Sequence, residues 1–120
     1  IPYEWQAKEL LKNIDSFSVY KNEFDTMLDF YKAEQLDSLK SMISKSEFGS
    51  DQYSDLLLNN RNKNWVNQLK EIMKNESLFV AVGAGHLVGD SGVINLLRKE
   101  GYKLEPLENK KETTMKGELL

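Results

Sequence analysis

The chain has 120 residues, enough for one small domain or part of a larger one, and its 40% hydrophobic and 29% charged side chains are the balance of a globular protein. A net charge of −3 with no basic stripe argues against nucleic acid as the main partner, because phosphate binding needs a basic face. Zero cysteines exclude disulfides, thiolate nucleophiles and cysteine-ligated zinc, and no apolar run approaches the roughly 18 residues of a membrane helix.

Residues 3–15 carry Trp5, Leu10, Leu11 and Ile14 at helical spacings, with Lys and Glu between them. Ser16-Phe17-Ser18 interrupts that pattern, and Asn22 is the expected N-cap of a second helix whose apolar face is Phe24, Met27, Leu28 and Tyr31. A break near Ala33 separates it from a third run through Leu36, Leu39, Met42 and Ile43. Residues 46–51 read as a loop, with Ser50 capping the next helix. That helix, over residues 51–74, opens on Tyr53, Leu56 and Leu57 and closes on Trp65, Leu69, Ile72 and Met73. Its middle, residues 59–64, is polar all round and rich in asparagine, which competes for backbone hydrogen bonds inside a helix. A local break or a functional surface is expected there.

Phe79, Val80, Ala81 and Val82 form a short apolar run bounded by turn residues, the pattern of a buried strand. Asp90 or Ser91 then caps a helix to about Glu100 with Val93, Ile94, Leu96 and Leu97 buried, and Gly101 ends it. Residues 102–107 alternate and read as a second, edge strand, given Pro106. The expected fold is therefore α/β: about four helical runs over residues 3–74, then one right-handed βαβ unit over residues 77–107 with two parallel strands. Residues 108–120 read as a charged tail. Two parallel strands make a poor sheet, so the chain is expected to be half of a larger domain whose N-terminal part is missing. The exposed strand edge is expected to drive self-association. The chain starts Ile1-Pro2 without a methionine, so the lack of a signal peptide says little about compartment.

Chemistry concentrates in the turn after the first strand. Gly83, Gly85, Gly89 and Gly92 are four of the seven glycines, and His86, the only histidine, lies among them. A dinucleotide fingerprint would need glycine at 88, where Val88 stands; Asp90 at the following helix start would repel phosphate. The second reading is a ligand-bearing turn. Imidazole is the commonest metal ligand and the usual general base near neutral pH, yet one histidine cannot make the three-ligand site that catalytic metals use. Asp90 and Glu105 are possible oxygen donors. Arg61 and Asn62 are either a solvated helix face or a charged fork with its neighbour at the cleft. Trp5 and Trp65 read as core.

Arg61-Asn62-x-x-Trp65, the run from Phe79 through Gly83-Ala84-Gly85-His86 to Gly89, Gly92-Val-Ile-x-Leu-Leu-Arg98 and Gly101-Tyr102 together resemble the C-terminal half of the TraB/PrgY/GumN family, which includes the Tiki membrane proteases. The resemblance is specific over residues 61–107. It implies that Gly83-Ala84-Gly85-His86 is the second of two Gly-x-x-His motifs, with His86 a metal ligand, Gly83 and Gly85 at the bound cofactor, and Arg61 and Asn62 as catalytic residues near the cleft. The first motif and a glutamate would come from the missing half. The implied chemistry is hydrolysis, of a peptide bond by preference, dependent on Mn, Co or Zn, in a bacterial and by analogy exported parent, with this piece inactive alone. The resemblance also leaves open a non-catalytic binding or inhibitory module, as in the pheromone-shutdown members, with the helices of residues 3–74 as the partner surface.

Overall fold

A computed structural model describes residues 1–45 and 51–108. The expected cap Ser50 and most of the expected tail lie outside these. The first helix, α1, is Tyr3–Asp15, and α2 is Phe17–Lys32. Ser16 joins them: its N–H reaches back to Lys12 O at 3.0 Å, while its own carbonyl accepts from Val19 and Tyr20. The second helix thus starts one residue past α1, and Asn22, expected as its cap, lies inside it. The break after Lys32 falls where expected. Glu34 adopts φ 57°, with Glu34 N–H donating to Tyr31 O and Gln35 N–H to Phe30 O, the left-handed stop that turns the chain into α3, Leu36–Lys45.

The long helical run also breaks, starting four residues before its asparagine-rich stretch. A short helix α4, Asp51–Ser54, passes into a π-helical turn, Asp55–Asn59, before α5 runs as a regular helix over Asn60–Ile72. Single π turns inside helices bulge the backbone and recur at functional sites. The remaining helices are short: α6, Ala84–Leu87, and α7, Val93–Lys99. The last ends in a full Schellman motif, with Gly101 at φ 91°, Gly101 N–H donating to Arg98 O and Tyr102 N–H to Leu97 O.

The expected βαβ unit is not there. Among the described residues there is no strand; residues 76–83 and 102–108 run as irregular chain on either side of α6 and α7, so the fold is helical rather than α/β. An apolar run becomes a strand only when a neighbouring chain completes its hydrogen-bond ladder, and neither segment has such a neighbour. Phe79, read as strand core, is 96% exposed, and Leu107 is 94% exposed. The strand edge expected to mediate self-association is absent with the strands.

The buried apolar side chains among the described residues are Tyr20, Leu39, Val66 and Val93. Val66 on α5 and Val93 on α7 are the centre of the α5–α7 packing, and a Lys70–Glu100 ion pair closes its rim. The turn α6 sits where α3, α7 and the π-helical turn meet. Helix α1 leans on α2, and Trp5 meets Tyr53 edge-on at 4.8 Å, while Leu10, Leu11 and Ile14, its expected core face, stay exposed. No described helix is long and apolar enough to cross a membrane.

Candidate functional site

Helix α5 brings Arg61, Asn62 and Trp65 to bear on α6. Residues 61 and 65 are one turn apart on the helix, and the Arg61 guanidinium lies 5.0 Å from the centre of the Trp65 ring. The His86 ring lies on Trp65 as well, 4.7 Å between centroids and tilted by 49°. Trp65, expected in the core, is therefore a half-buried wall of the site.

Asn62 projects a step further round the helix and is 1% exposed, the only fully buried polar side chain among the described residues. Both ends of its amide are used. Nδ2 donates to the Ser91 carbonyl at 2.8 Å, and Oδ1 stands 2.7 Å from His86 Nδ1. These partners fix the proton positions. A backbone carbonyl only accepts, so the amide NH2 must face Ser91; Oδ1 then faces the imidazole and only accepts, so Nδ1 carries the proton. In a neutral ring the lone pair is left on Nε2. The ring is held neutral to lower pH than an ordinary histidine, chiefly because burial penalises the imidazolium and also because the Arg61 charge repels it.

His86 reaches this position through a single helical turn. Its N–H donates to Gly83 O at 2.9 Å, with Gly83 extended at φ −63°, ψ 147°. Neither Gly83 nor Gly85 needs a left-handed backbone, and a Cβ on Gly85 would meet Ile43 Cδ1 of α3 at an ordinary 3.9 Å. The demanding glycines come later. Gly89 reverses the chain at φ 89°, and a Cβ on Gly92 would lie 2.3 Å from Val88 O and 2.6 Å from Leu87 O. That tight return delivers the Ser91 carbonyl to Asn62. Neither Asp90 nor Ser91 caps the next helix; Gly92 occupies the N-cap position.

Residue type and the family resemblance pointed to Arg61, Asn62 and His86, and all three stand together. They missed Trp65, although the four-residue step from Arg61 carries that signal. They could not have found Ser91, which acts through its backbone. Asp90 is turned outward towards Lys40, 3.9 Å away, and Glu105 pairs with Lys103 at 2.6 Å. As a metal ligand His86 offers one nitrogen, Nε2. Among the described residues no group of three or more His, Asp or Glu side chains comes together, so these residues fit one position of a metal's donor set and not the whole of it.

The sequence profile of the TraB/PrgY/gumN family matches residues 1–106. Among curated proteins, metalloprotease TIKI2 of Danio rerio is 36% identical over 52 residues, covering 41% of this chain and 10% of the relative. The metalloprotease TIKI homolog of Amphimedon queenslandica is 37% identical over 49 residues, 41% of this chain and 10% of its own. Metalloprotease TIKI1 of Danio rerio is 42% identical over 40 residues, 33% of this chain and 8% of its own. The chain thus spans about a tenth of the length of these relatives. No solved structure matches it significantly.

Proposed function

This chain belongs to the TraB/PrgY/gumN family, and we propose that it contributes one side of a metal-dependent hydrolase site that cleaves peptide bonds, with His86 as a ligand through Nε2. One observation carries the reading. The Asn62 amide oxygen engages Nδ1 at 2.7 Å, and a histidine whose other nitrogen is so engaged is in the state that metals select. The relatives named as metalloproteases supply the reaction class.

A divalent ion, Mn, Co or Zn, when bound would lower the pKa of a coordinated water and polarise a carbonyl. The residues of this chain do the rest of their work without it. His86 presents a neutral nitrogen, Trp65 walls the ring on one side, and exposed Arg61 offers a planar cation to a substrate carboxylate. Gly83 leaves the space beside the imidazole open, for a Cβ there would meet His86 Cδ2 at 3.9 Å, whereas a Cβ on Gly85 would face Ile43 of α3. With one histidine and no cysteine, this chain is expected to bind metal weakly by itself and to hydrolyse nothing. Calorimetric titration of Mn²⁺, Co²⁺ and Zn²⁺ into the full-length protein and its His86→Ala variant, with hydrolysis of internally quenched peptides, tests this. Binding and hydrolysis should both be lost in the variant; equal metal binding by the two proteins would sink the reading.

A second reading, a non-catalytic binding or inhibitory module, is favoured by the exposed apolar residues Leu10, Leu11, Ile14 and Phe17 on α1 and the start of α2. Hydrolysis that disappears in His86→Ala while circular dichroism stays unchanged would exclude it.

A further inference from the structure

We propose that Asn62 is a positioning residue that locks His86 in the Nδ1–H tautomer, and that the Ser91 carbonyl sets the direction of the lock. The inference deepens the metal-ligand reading above and rests on it for its purpose, but the lock is a property of the metal-free chain and can be tested there.

A free imidazole exchanges its proton between two nitrogens, so only part of the population offers Nε2 as a lone pair. A buried acceptor at Nδ1 removes that choice. An asparagine is a two-faced group and serves only if its amide cannot rotate. Turned by 180° about its last torsion, Asn62 would aim NH2 at Nδ1 and select the opposite tautomer. The Ser91 carbonyl forbids this, because the flip would bring two acceptor oxygens together where Asn62 is 1% exposed and water cannot mediate. The order of control is backbone carbonyl, amide, imidazole. It also explains a polar side chain held so completely inside a small core: both hydrogen-bonding ends have a partner, so its burial is tolerated.

This role differs from a catalytic one. Asn62 is enclosed by α5, the imidazole and the return loop, and it acts on a substrate only through His86. A carboxylate at the same place would also hold Nδ1–H, but it would lose the donor to Ser91 and raise the imidazole's affinity for a second proton.

The test uses the fact that the chain has one histidine, so ring-nitrogen spectra contain a single imidazole. In metal-free protein above the imidazole titration, long-range ¹⁵N–¹H correlation should show Nδ1 as the protonated, pyrrole-like nitrogen and Nε2 as the bare one. A protonated Nε2, or one exchange-averaged pair of signals, in the wild-type protein overturns the proposal without any variant. In Asn62→Leu that keeps its circular dichroism, the pattern should reverse or average; an unchanged Nδ1–H signature there also overturns it. Asn62→Asp should retain Nδ1–H. In the full-length protein Asn62→Leu should weaken metal binding by about 10- to 100-fold. A locked tautomer in a protein that binds no metal would leave this proposal standing and refute the metal reading.

Discussion

The imidazole of His86 is the residue on which charge, burial and hydrogen bonding converge, and its protonation follows from them. Burial, first, and the Arg61 charge, second, hold its folded-state pKa below the ordinary imidazole value of 6.5. A histidine depressed in the fold takes up a proton more readily when unfolded. Its contribution to stability is therefore complete above pH 6.5 and is lost as pH falls through the lower folded value. Substituting Arg61→Gln removes only the smaller cause. The midpoint of the His86 ring signals in an NMR pH titration should rise, yet stay below that of an unfolded histidine; a midpoint that does not move would show that the guanidinium field does not reach the ring. The same variant gives up the contact with Trp65, worth about 0.5–1 kcal/mol at an exposed site. Arg61 and His86 were legible in the sequence because charge and a unique histidine are visible there. Asn62 was singled out beside Arg61 but as a catalytic residue at the cleft; its place as the buried acceptor for the imidazole was not legible, since nothing in a polar run tells which member turns inward.

Two glycines at the scale of elements show how the same residue type serves different needs. Gly101 stops α7 at φ 91° with open space around its Cβ position, so Gly101→Ala costs only the backbone penalty of a left-handed residue, about 1–2 kcal/mol. Gly92 has an ordinary φ of −72°, but a Cβ there would collide with two backbone carbonyls. Backbone cannot move aside as a side chain tip does, so Gly92→Ala should cost more than Gly101→Ala in chemical denaturation, at or above the roughly 1–3 kcal/mol of overpacked sites. It should also displace the Ser91 carbonyl and so disturb the His86 ring signals, which Gly101→Ala leaves alone. Equal effects on those signals would contradict this division. The helices were legible wherever the cause was local: α1 from its three- and four-residue spacing, the stop at Lys32, and the Gly101 terminus from glycine after an apolar helix. The strands were misread because their cause is not local. Phe79 to Val82 has the composition of a buried strand, but a strand exists only beside its partner, and composition cannot supply one. The helix start at Phe17 was missed because the hydrogen bonds around Ser16 make the break nearly seamless.

The whole molecule has more apolar surface than its core uses. Tyr20, Leu39, Val66 and Val93 are the buried apolar residues described, against exposed Leu10, Leu11, Ile14, Phe17, Phe24, Phe79 and Leu107. Full burial of one Phe or Leu is worth about 1.5–3 kcal/mol, so this surface is stabilisation that the described fold leaves unused. Phe79 isolates the effect best. At 96% exposure it has almost no contact to lose, and it lies in irregular chain where no ladder constrains it. Next to it, Val80, Ala81 and Val82 line one side of a groove of about 260 Å³ whose other side is Trp65, Leu69 and Ile72 of α5. A charge at position 79 should thus reduce the stickiness of this face while leaving the helices intact. For Phe79→Lys we expect lower binding of a hydrophobic dye and weaker light scattering at high concentration, with unchanged far-ultraviolet circular dichroism and an unfolding free energy changed by no more than about 0.5 kcal/mol, as for surface substitutions generally. A marked loss of helicity would mean that the phenylalanine is packed in solution. Unchanged dye binding would mean that the exposed faces of α1 and α2, not the segment leading to the histidine, carry the molecule's adhesive surface.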